Sequence, residues 1–482
     1  MTWRTDGRAL RDEQGRERQL LGINLVDKVP RREADGRFRP WRAEDLDDLA
    51  RRGLDGARLG VLWSAACPGP GEVDTGYLGW LREQLDLLHE RGMGVVLDAH
   101  QDLYSVLFGD GAPAWATLAR EPFVPDELWS EAYLHPGPVA DSLDAFWQDQ
   151  QVDGIGLQQH FARFWTTVVE HVGDHPAVIG LDLLNEPVPG ALSQQVMGRL
   201  LGSLAQLTGQ DLDAVLAAYA DPEQRFALLG RLEDAALHRE VAASAVELLT
   251  EFERRDVTGL WELVGRAVRE QGFAGVILRE HGYFSNLGVP CPADPPRGIG
   301  DVVYGPHGYD LTVDTEATPL SSNRRVSTIF EAVAATQERW DVPVVVGEWG
   351  AFGRYRGVRD HGEHLLAEFG RRGWSSMYWT WEEEFAGTEA ATLLDRPHAR
   401  ALAGTFLAQD EADGHWRLVY DGHPTEHGHE PAAPSLIRVP GGAEVRVLRD
   451  QQQVPDEDLL RRGDRLEVAP GPGRHEILVR RG

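Results

Sequence analysis

The chain has 482 residues, 42% hydrophobic and 26% charged, the balance of a soluble globular protein and enough length for a large α/β barrel with a small appendage. Its 48 Lys and Arg against 77 Asp and Glu give a formal net charge of −29. That acidity excludes the basic face that phosphate binding needs and any polybasic membrane anchor, so no nucleic-acid partner is expected.

The first residues lack a basic-then-apolar leader, and no run of about 18 apolar residues offers a membrane span. A cytoplasmic location without stable membrane insertion is the expectation. Cys67 and Cys291 are the two cysteines, expected as free thiols. In chain order, eight apolar, β-branched segments read as strands: Gln19–Leu25, Ala57–Leu62, Gly94–Ala99, Val178–Leu184, Gly275–Leu278, Val302–Gly305, Val342–Val346 and Ser376–Trp381. Amphipathic stretches such as Tyr77–Arg91 and Gln158–His171 lie between most of them. Eightfold strand–helix alternation predicts a (β/α)8 barrel, whose active site forms at the C-terminal ends of the strands.

Two connections exceed what a barrel needs. The stretch 103–158 reads as a loop rich in aromatics, among them Tyr104, Phe108, Trp115, Trp129, Phe146 and Trp147. The stretch 189–272 reads as helices Leu192–Leu207, Leu212–Tyr219, Pro222–Leu237 and Glu240–Arg254. Insertions there wall a cleft, although such aromatics also pack inward as a satellite core. After residue 408 short alternating segments separated by Gly, Pro and Asp predict a small antiparallel β domain over 409–482, sandwich-like, following a catalytic barrel over 1–408.

The strand ends carry the chemistry. Asn185-Glu186-Pro187 follows the fourth strand and Gly347-Glu348-Trp349-Gly350 ends the seventh. Two carboxylates on one rim are what glycosidic bond hydrolysis requires, one holding a proton for the leaving oxygen and the other ionised to attack. Asn185 is placed to bond a sugar hydroxyl beside the reacting carbon. His100 and Asp102 end the third strand two residues apart, a spacing that sends both side chains the same way on an extended segment. His307 and Tyr309 repeat the pattern after strand six. Arg58 lies within strand two, where a buried cation needs a carboxylate partner. Trp379 and Trp381 end strand eight, and Asn24 and Lys28 follow strand one. A zinc site needs three protein ligands, and His100, Asp102 and His307 supply them on paper. That reading leaves both glutamate motifs without a role, so neither metal nor cofactor is expected.

The order Arg58, His100, Asn185-Glu186-Pro187, His307-x-Tyr309, Glu348, Trp381 resembles glycoside hydrolase family 5 across roughly residues 19–405. Within it, Leu21-Gly-Ile-Asn-Leu-Val-Asp-Lys28, Leu97-Asp-Ala-His-Gln-Asp102, Leu183-Leu-Asn-Glu-Pro187 and Leu278-Arg-Glu-His-Gly-Tyr-Phe-Ser-Asn286 resemble the endoglycoceramidases and their glucosylceramidase relatives. The resemblance implies a retaining β-glycosidase with Glu186 as acid/base and Glu348 as nucleophile. It implies Arg58 and Tyr309 as supports of Glu348, His307 beside the acid/base, and Lys28, His100, Asp102, Asn185 and Trp381 as sugar contacts. The implied substrate is a glycoside, glucose-bearing, with a hydrophobic aglycone such as ceramide, a glycolipid. The alternatives are a family 5 β-glucosidase or glucanase for soluble sugars, or a barrel that binds glycan or lipid without cleaving it. The chain departs from the pattern in its longer helical insertion and in the acidic run Glu382-Glu-Glu-Phe385 after strand eight.

Overall fold

Eight short strands, nearly all of whose residues are buried, form one parallel sheet: β1 Leu21–Leu25, β2 Gly56–Val61, β3 Gly94–Ala99, β4 Val178–Asp182, β5 Val276–Arg279, β6 Val302–Tyr304, β7 Val345–Gly350 and β8 Ser375–Trp379. The computed structural model describes residues 3–480 except 35, 37, 40, 127, 314, 413, 424, 425, 428, 429 and 432. Met1 and Thr2, part of the N-terminal reading, and 481–482, the end of the expected second domain, lie outside the described residues.

The strand order β6-β5-β4-β3-β2-β1-β8-β7 is that of a barrel. Bridges pair residue 304 with 344 and 307 with 348 and shut the last seam. There the N–H groups of Tyr304 and Gly347 donate to the carbonyls of Pro343 and Pro306, each at 2.9 Å. Helices on the outer face explain why the strands read as continuous apolar runs rather than alternating ones. These are α1 Ala43–Arg51, α2 Thr75–Glu90, α3 Leu157–Val172, α4 Thr258–Glu270, α5 Asn323–Trp340, α6 Arg359–Arg372 and α7 Glu389–Leu394. In α2 the Asp74 side chain caps the start by accepting from the Tyr77 N–H, while Tyr77, Leu78, Leu81, Leu85 and Leu88 form the buried stripe.

The barrel interior is graded. Its N-terminal end holds Val96, Ile179, Leu278, Val303, Val345 and Met377, plugged from below by Trp3 and Leu10. Gly22 and Gly56 leave the space that Met377 fills, since a Cβ at either position would collide with it. Its C-terminal end holds Asn24, Arg58, Asp98 and Asp182, all fully buried. Charge concentrated at that end places the chemistry there.

The antiparallel part departs from the expected boundary, for Gly404–Ala412 runs straight through position 409 and the sheets begin at His398–Leu402. A seven-stranded sheet also recruits the N-terminal strands Arg4–Asp6, Ala9–Arg11 and Glu17–Arg18. A five-stranded sheet packs against it over Trp416, Leu418, Tyr420, Ile437, Val447, Leu466 and Ile477. Pairing between the chain's two ends has no local signal, which is why alternation alone set the boundary late.

The stretch 103–158 contains a helix, Pro138–Trp147, two short 3-10 segments, Ala114–Ala116 and Trp129–Tyr133, and a small antiparallel pair, Gln151–Val152 with Ile155–Gly156, rather than plain loop. In 189–272 the expected helix Pro222–Leu237 divides into Pro222–Gly230 and Ala235–Ala243, because Asp234 caps a new start with its carboxylate on the Ala236 and Leu237 N–H groups. Cys67 and Cys291 are buried free thiols. No helix among the described residues is long and apolar enough to cross a membrane.

Candidate active site

Glu348 sits on β7 with both carboxylate oxygens engaged. Arg58 donates from Nη1 to Oε1 at 2.7 Å, and the Tyr309 hydroxyl donates to Oε2 at 2.6 Å. Two donors of fixed position lock the carboxylate plane. Arg58 is itself fully buried on β2, the costly placement that the sequence flags, and it meets four acidic side chains: Glu348, Asp98 at 2.9 Å, Asp182 at 3.0 Å and Glu280 at 3.0 Å. Burial disfavours its charge, but these carboxylates overcome that and raise it well above the ordinary arginine range.

Glu186 follows β4 in a turn that gives it a φ of 44°. Its Oε1 accepts from Asn286 Nδ2 at 2.7 Å and from His307 Nδ1 at 3.0 Å. Burial pushes the Glu186 carboxyl up to about 7, against the pull of His307 and with the charges of Glu348 and Glu280 adding to it. Burial lowers His307, yet Glu280, Glu348 and the bond to Glu186 prevail and hold the imidazole well above its usual value. His307 Nδ1 lies 3.5 Å from Glu348, and one oxygen from each glutamate lies within 4.8 Å of the other. The two carboxyls thus share one small space in different states, one inclined to carry a proton and one clamped by donors.

The sugar-side candidates converge less completely. Lys28 pairs with Asp102, and its ammonium lies 4.9 Å from the Trp379 ring centroid. His100 stacks on Trp379 at 5.1 Å and bonds Asp98 through Nδ1 at 2.8 Å. Burial opposes the His100 charge, but Asp98 and Asp102 raise it to about 10, while Lys28 and His100 draw the buried Asp102 down to about 2. Asn185 is buried, its Oδ1 accepting from Arg58 at 2.9 Å and its Nδ2 donating to the Gln101 carbonyl at 3.0 Å, which leaves one amide hydrogen for a ligand. Trp381 is tied to the rim by its main-chain N–H, which donates to the Asn24 carbonyl at 3.1 Å. Its half-buried ring shares no ring contact with Lys28 or His100 among the described residues; Trp379 takes that place. The hypothetical zinc trio is not one cluster, because His307 turns to Glu186 and Glu280 while His100 turns to Asp98 and Asp102.

The cellulase model of glycosyl hydrolase family 5 matches residues 12–385. The chain belongs to glycosyl hydrolase family 5. Endoglycoceramidase I of Rhodococcus hoagii is 37% identical over 193 residues, which cover 39% of this chain and 38% of that protein. A glucosylceramidase of Aspergillus fumigatus is 27% identical over 252 residues, covering 40% and 33%. The chain thus matches between a third and two fifths of the length of these curated relatives. Endo-glycoceramidase II from Rhodococcus sp., solved as a lactosyl-enzyme intermediate, superposes with a TM-score of 0.72 at 23% identity over 98% of this chain and 99% of that one. That likeness establishes the fold.

In this family 5 barrel an apolar cavity of about 30 Å³ lies beside the Glu186 turn, walled by Trp63, Tyr104, Phe146, Trp147, Leu184 and Pro187. Most aromatics of 103–158 pack inward: Phe146 meets Tyr104, Trp147 and Phe161, and Trp115 meets Trp63 and His160. Trp129, at 38%, is the most exposed of the six aromatics singled out in that stretch, with its ring edge-on to Tyr133. Sequence reasoning gave no part in the site to Asp98, Asp182, Glu280 or Asn286, which the structure places against Arg58 and Glu186. The available signal was charge inside otherwise apolar strands: Asp98 and Asp182 pair directly across β3 and β4.

Proposed function

We propose that this chain is a retaining β-glycosidase that splits the bond between a sugar and a hydrophobic aglycone, a glycolipid of the glucosylceramide type. Glu348 attacks the anomeric carbon as Glu186 gives its proton to the leaving oxygen, forming a glycosyl-enzyme ester and a free alcohol. Glu186, now ionised, takes a proton from water, whose oxygen displaces Glu348 and restores both groups. The observation that carries this reading is the pair of oxygens within 4.8 Å, the close spacing of a retaining site rather than the wider one that admits water for inversion. Lys28, His100, Asp102 and Trp379 form a polar cluster against an aromatic ring, a combination suited to a sugar.

The names of the relatives support ceramide glycosides, as does the apolar wall beside Glu186. One observation favours the soluble-sugar alternative: the 103–158 aromatics are mostly spent on internal packing, and the cavity is too small for an acyl chain. Comparing kcat/KM for glucosylceramide in detergent with that for cellotriose decides between them. The proposal expects a clear advantage for glucosylceramide; an advantage for cellotriose defeats the lipid reading while leaving the catalytic pair intact.

A further inference from the structure

The segment after β5 reaches the acid/base from three directions. Glu280 Oε2 accepts the main-chain N–H of Glu186 at 2.8 Å. Its Oε1 accepts from Arg58 Nη2 at 3.0 Å and lies 3.3 Å from His307 Nε2. Farther along, the Tyr304 hydroxyl meets His281 Nδ1 at 2.6 Å, His281 Nε2 meets Asn286 Oδ1 at 2.8 Å, and Asn286 Nδ2 reaches Glu186 Oε1. The carboxyl of Asp182 shares the cluster with Glu280 and His307, its Oδ1 without a hydrogen-bond donor.

We propose that Glu280 is the positioning residue of the acid/base, fixing the Glu186 main chain and the orientation and charge of His307, which in turn directs the Glu186 carboxyl. The inference rests on the glycosidase reading of the site. A φ of 44° is disfavoured for a glutamate and persists only where its surroundings over-determine it. Pro187 next in line brings no N–H of its own, so the Glu186 amide is the group by which this turn is held, and a charged acceptor holds it. Gln101 secures the other side by donating to the Asn185 and Glu186 carbonyls at 2.9 and 3.3 Å.

Glu280 also decides what His307 does. A neutral imidazole has one N–H, whereas an imidazolium held 3.3 Å from the Glu280 carboxylate at Nε2 carries an N–H at both nitrogens, and the one at Nδ1 faces Glu186 Oε1. With Nδ1–H on Oε1 of Glu186, the transferable proton is left to Oε2. Burial raises Glu280, but His307 and Arg58 reverse this and bring it to about 2, so the group is an anion at working pH. Asp182 runs the other way: burial and the Glu280 charge raise it well above the usual carboxylate value.

Positioning of an acid has a signature that general damage lacks. An aryl glycoside with a 2,4-dinitrophenyl leaving group departs without a proton, whereas an alkyl glycoside needs one. Glu280→Gln is expected to lower kcat/KM about 100-fold on hexyl β-glucoside and only a few-fold on 2,4-dinitrophenyl β-glucoside, in line with the share of general acid catalysis. Its rate of labelling by 2,4-dinitrophenyl 2-deoxy-2-fluoro-β-glucoside should stay within a few-fold of wild type, which also reports a folded site. Glu280→Asp keeps the buried charge while withdrawing the acceptor by one methylene, and should show the same selectivity at smaller amplitude. Equal losses on both glucosides in both variants, or full activity on both, overturn the inference. If the wild-type protein cleaves neither glucoside, it is the glycosidase reading that falls.

Discussion

One carboxyl oxygen of Glu186 lies within 4.8 Å of one of Glu348, with His307 Nδ1 3.0 Å from the first residue and 3.5 Å from the second. Two acidic groups so close in a buried site cannot be equivalent. Burial and mutual repulsion raise Glu186, and Arg58 with Tyr309 saturates Glu348.

The pH dependence follows with a definite sign. Glu186 carries its proton below about 7 and has lost it above. For an alkyl glycoside, kcat/KM should therefore fall above pH 7, about tenfold per unit. Glu186→Gln should remove that basic limb and cost about 100- to 10,000-fold on the same substrate. A pH–rate profile unchanged in the variant would contradict the assignment of Glu186 as acid.

Removing the tyrosine donor isolates one support of Glu348. Tyr309→Phe deletes a 2.6 Å hydrogen bond to the carboxylate. A bond to a charged group is worth about 1.5–3 kcal/mol, so kcat/KM should drop roughly 10- to 150-fold. Because the attack itself is weakened, the loss should be similar for aryl and alkyl glycosides, the opposite of the Glu280 pattern.

Arg58 has a structural role as well. Replacing it by methionine leaves Asp98, Asp182, Glu280 and Glu348 facing one another without the cation. Breaking a buried ion cluster in this way costs about 3–5 kcal/mol. Thermal unfolding of Arg58→Met should move several degrees lower; an unchanged midpoint would show that the barrel top tolerates the uncompensated charge.

Of the two rim tryptophans, Trp379 should matter more for sugar binding. It stacks on His100 and lies under Lys28, whereas Trp381 has no such contact. Trp379→Ala should raise KM for an aryl glucoside well beyond Trp381→Ala, measured by steady-state kinetics.

Dialysis against a chelator should leave activity intact. His100, His307, Asp102 and both glutamates are already engaged by protein partners, namely Asp98, Glu186, Lys28, Asn286, Arg58 and Tyr309. Loss of activity in chelator that zinc restores would contradict the acid/base role of Glu186 and the nucleophile role of Glu348.

Much of the fold was legible because parallel barrel strands are buried on both faces and so stand out as apolar runs; Gly94–Ala99 is located to the residue. Strand ends are also where barrel chemistry lies, which put Glu186, Glu348, Arg58, His307 and Tyr309 into one candidate set, and the fold brings these five side chains together. What escaped was set by distant pairing. The strands at Arg4–Arg18 meet His398–Leu402 across nearly the whole chain, and no local pattern announces that. Glu280 and Asn286 lay in a string that carried the resemblance but was given no role, since their contacts with Glu186 arise only when the fold sets it opposite them. The inward packing of Phe146 and Trp115 was equally hidden, because aromatic content alone does not say which way a ring faces.

Trapping the covalent intermediate tests the central claim most directly. Inactivation with 2,4-dinitrophenyl 2-deoxy-2-fluoro-β-glucoside, followed by peptide mass spectrometry, should find one fluoroglucosyl group esterified to Glu348 and none on Glu186. A label on another residue, or turnover of an ordinary β-glucoside with no label and release of the α-anomer, would contradict retention through this pair.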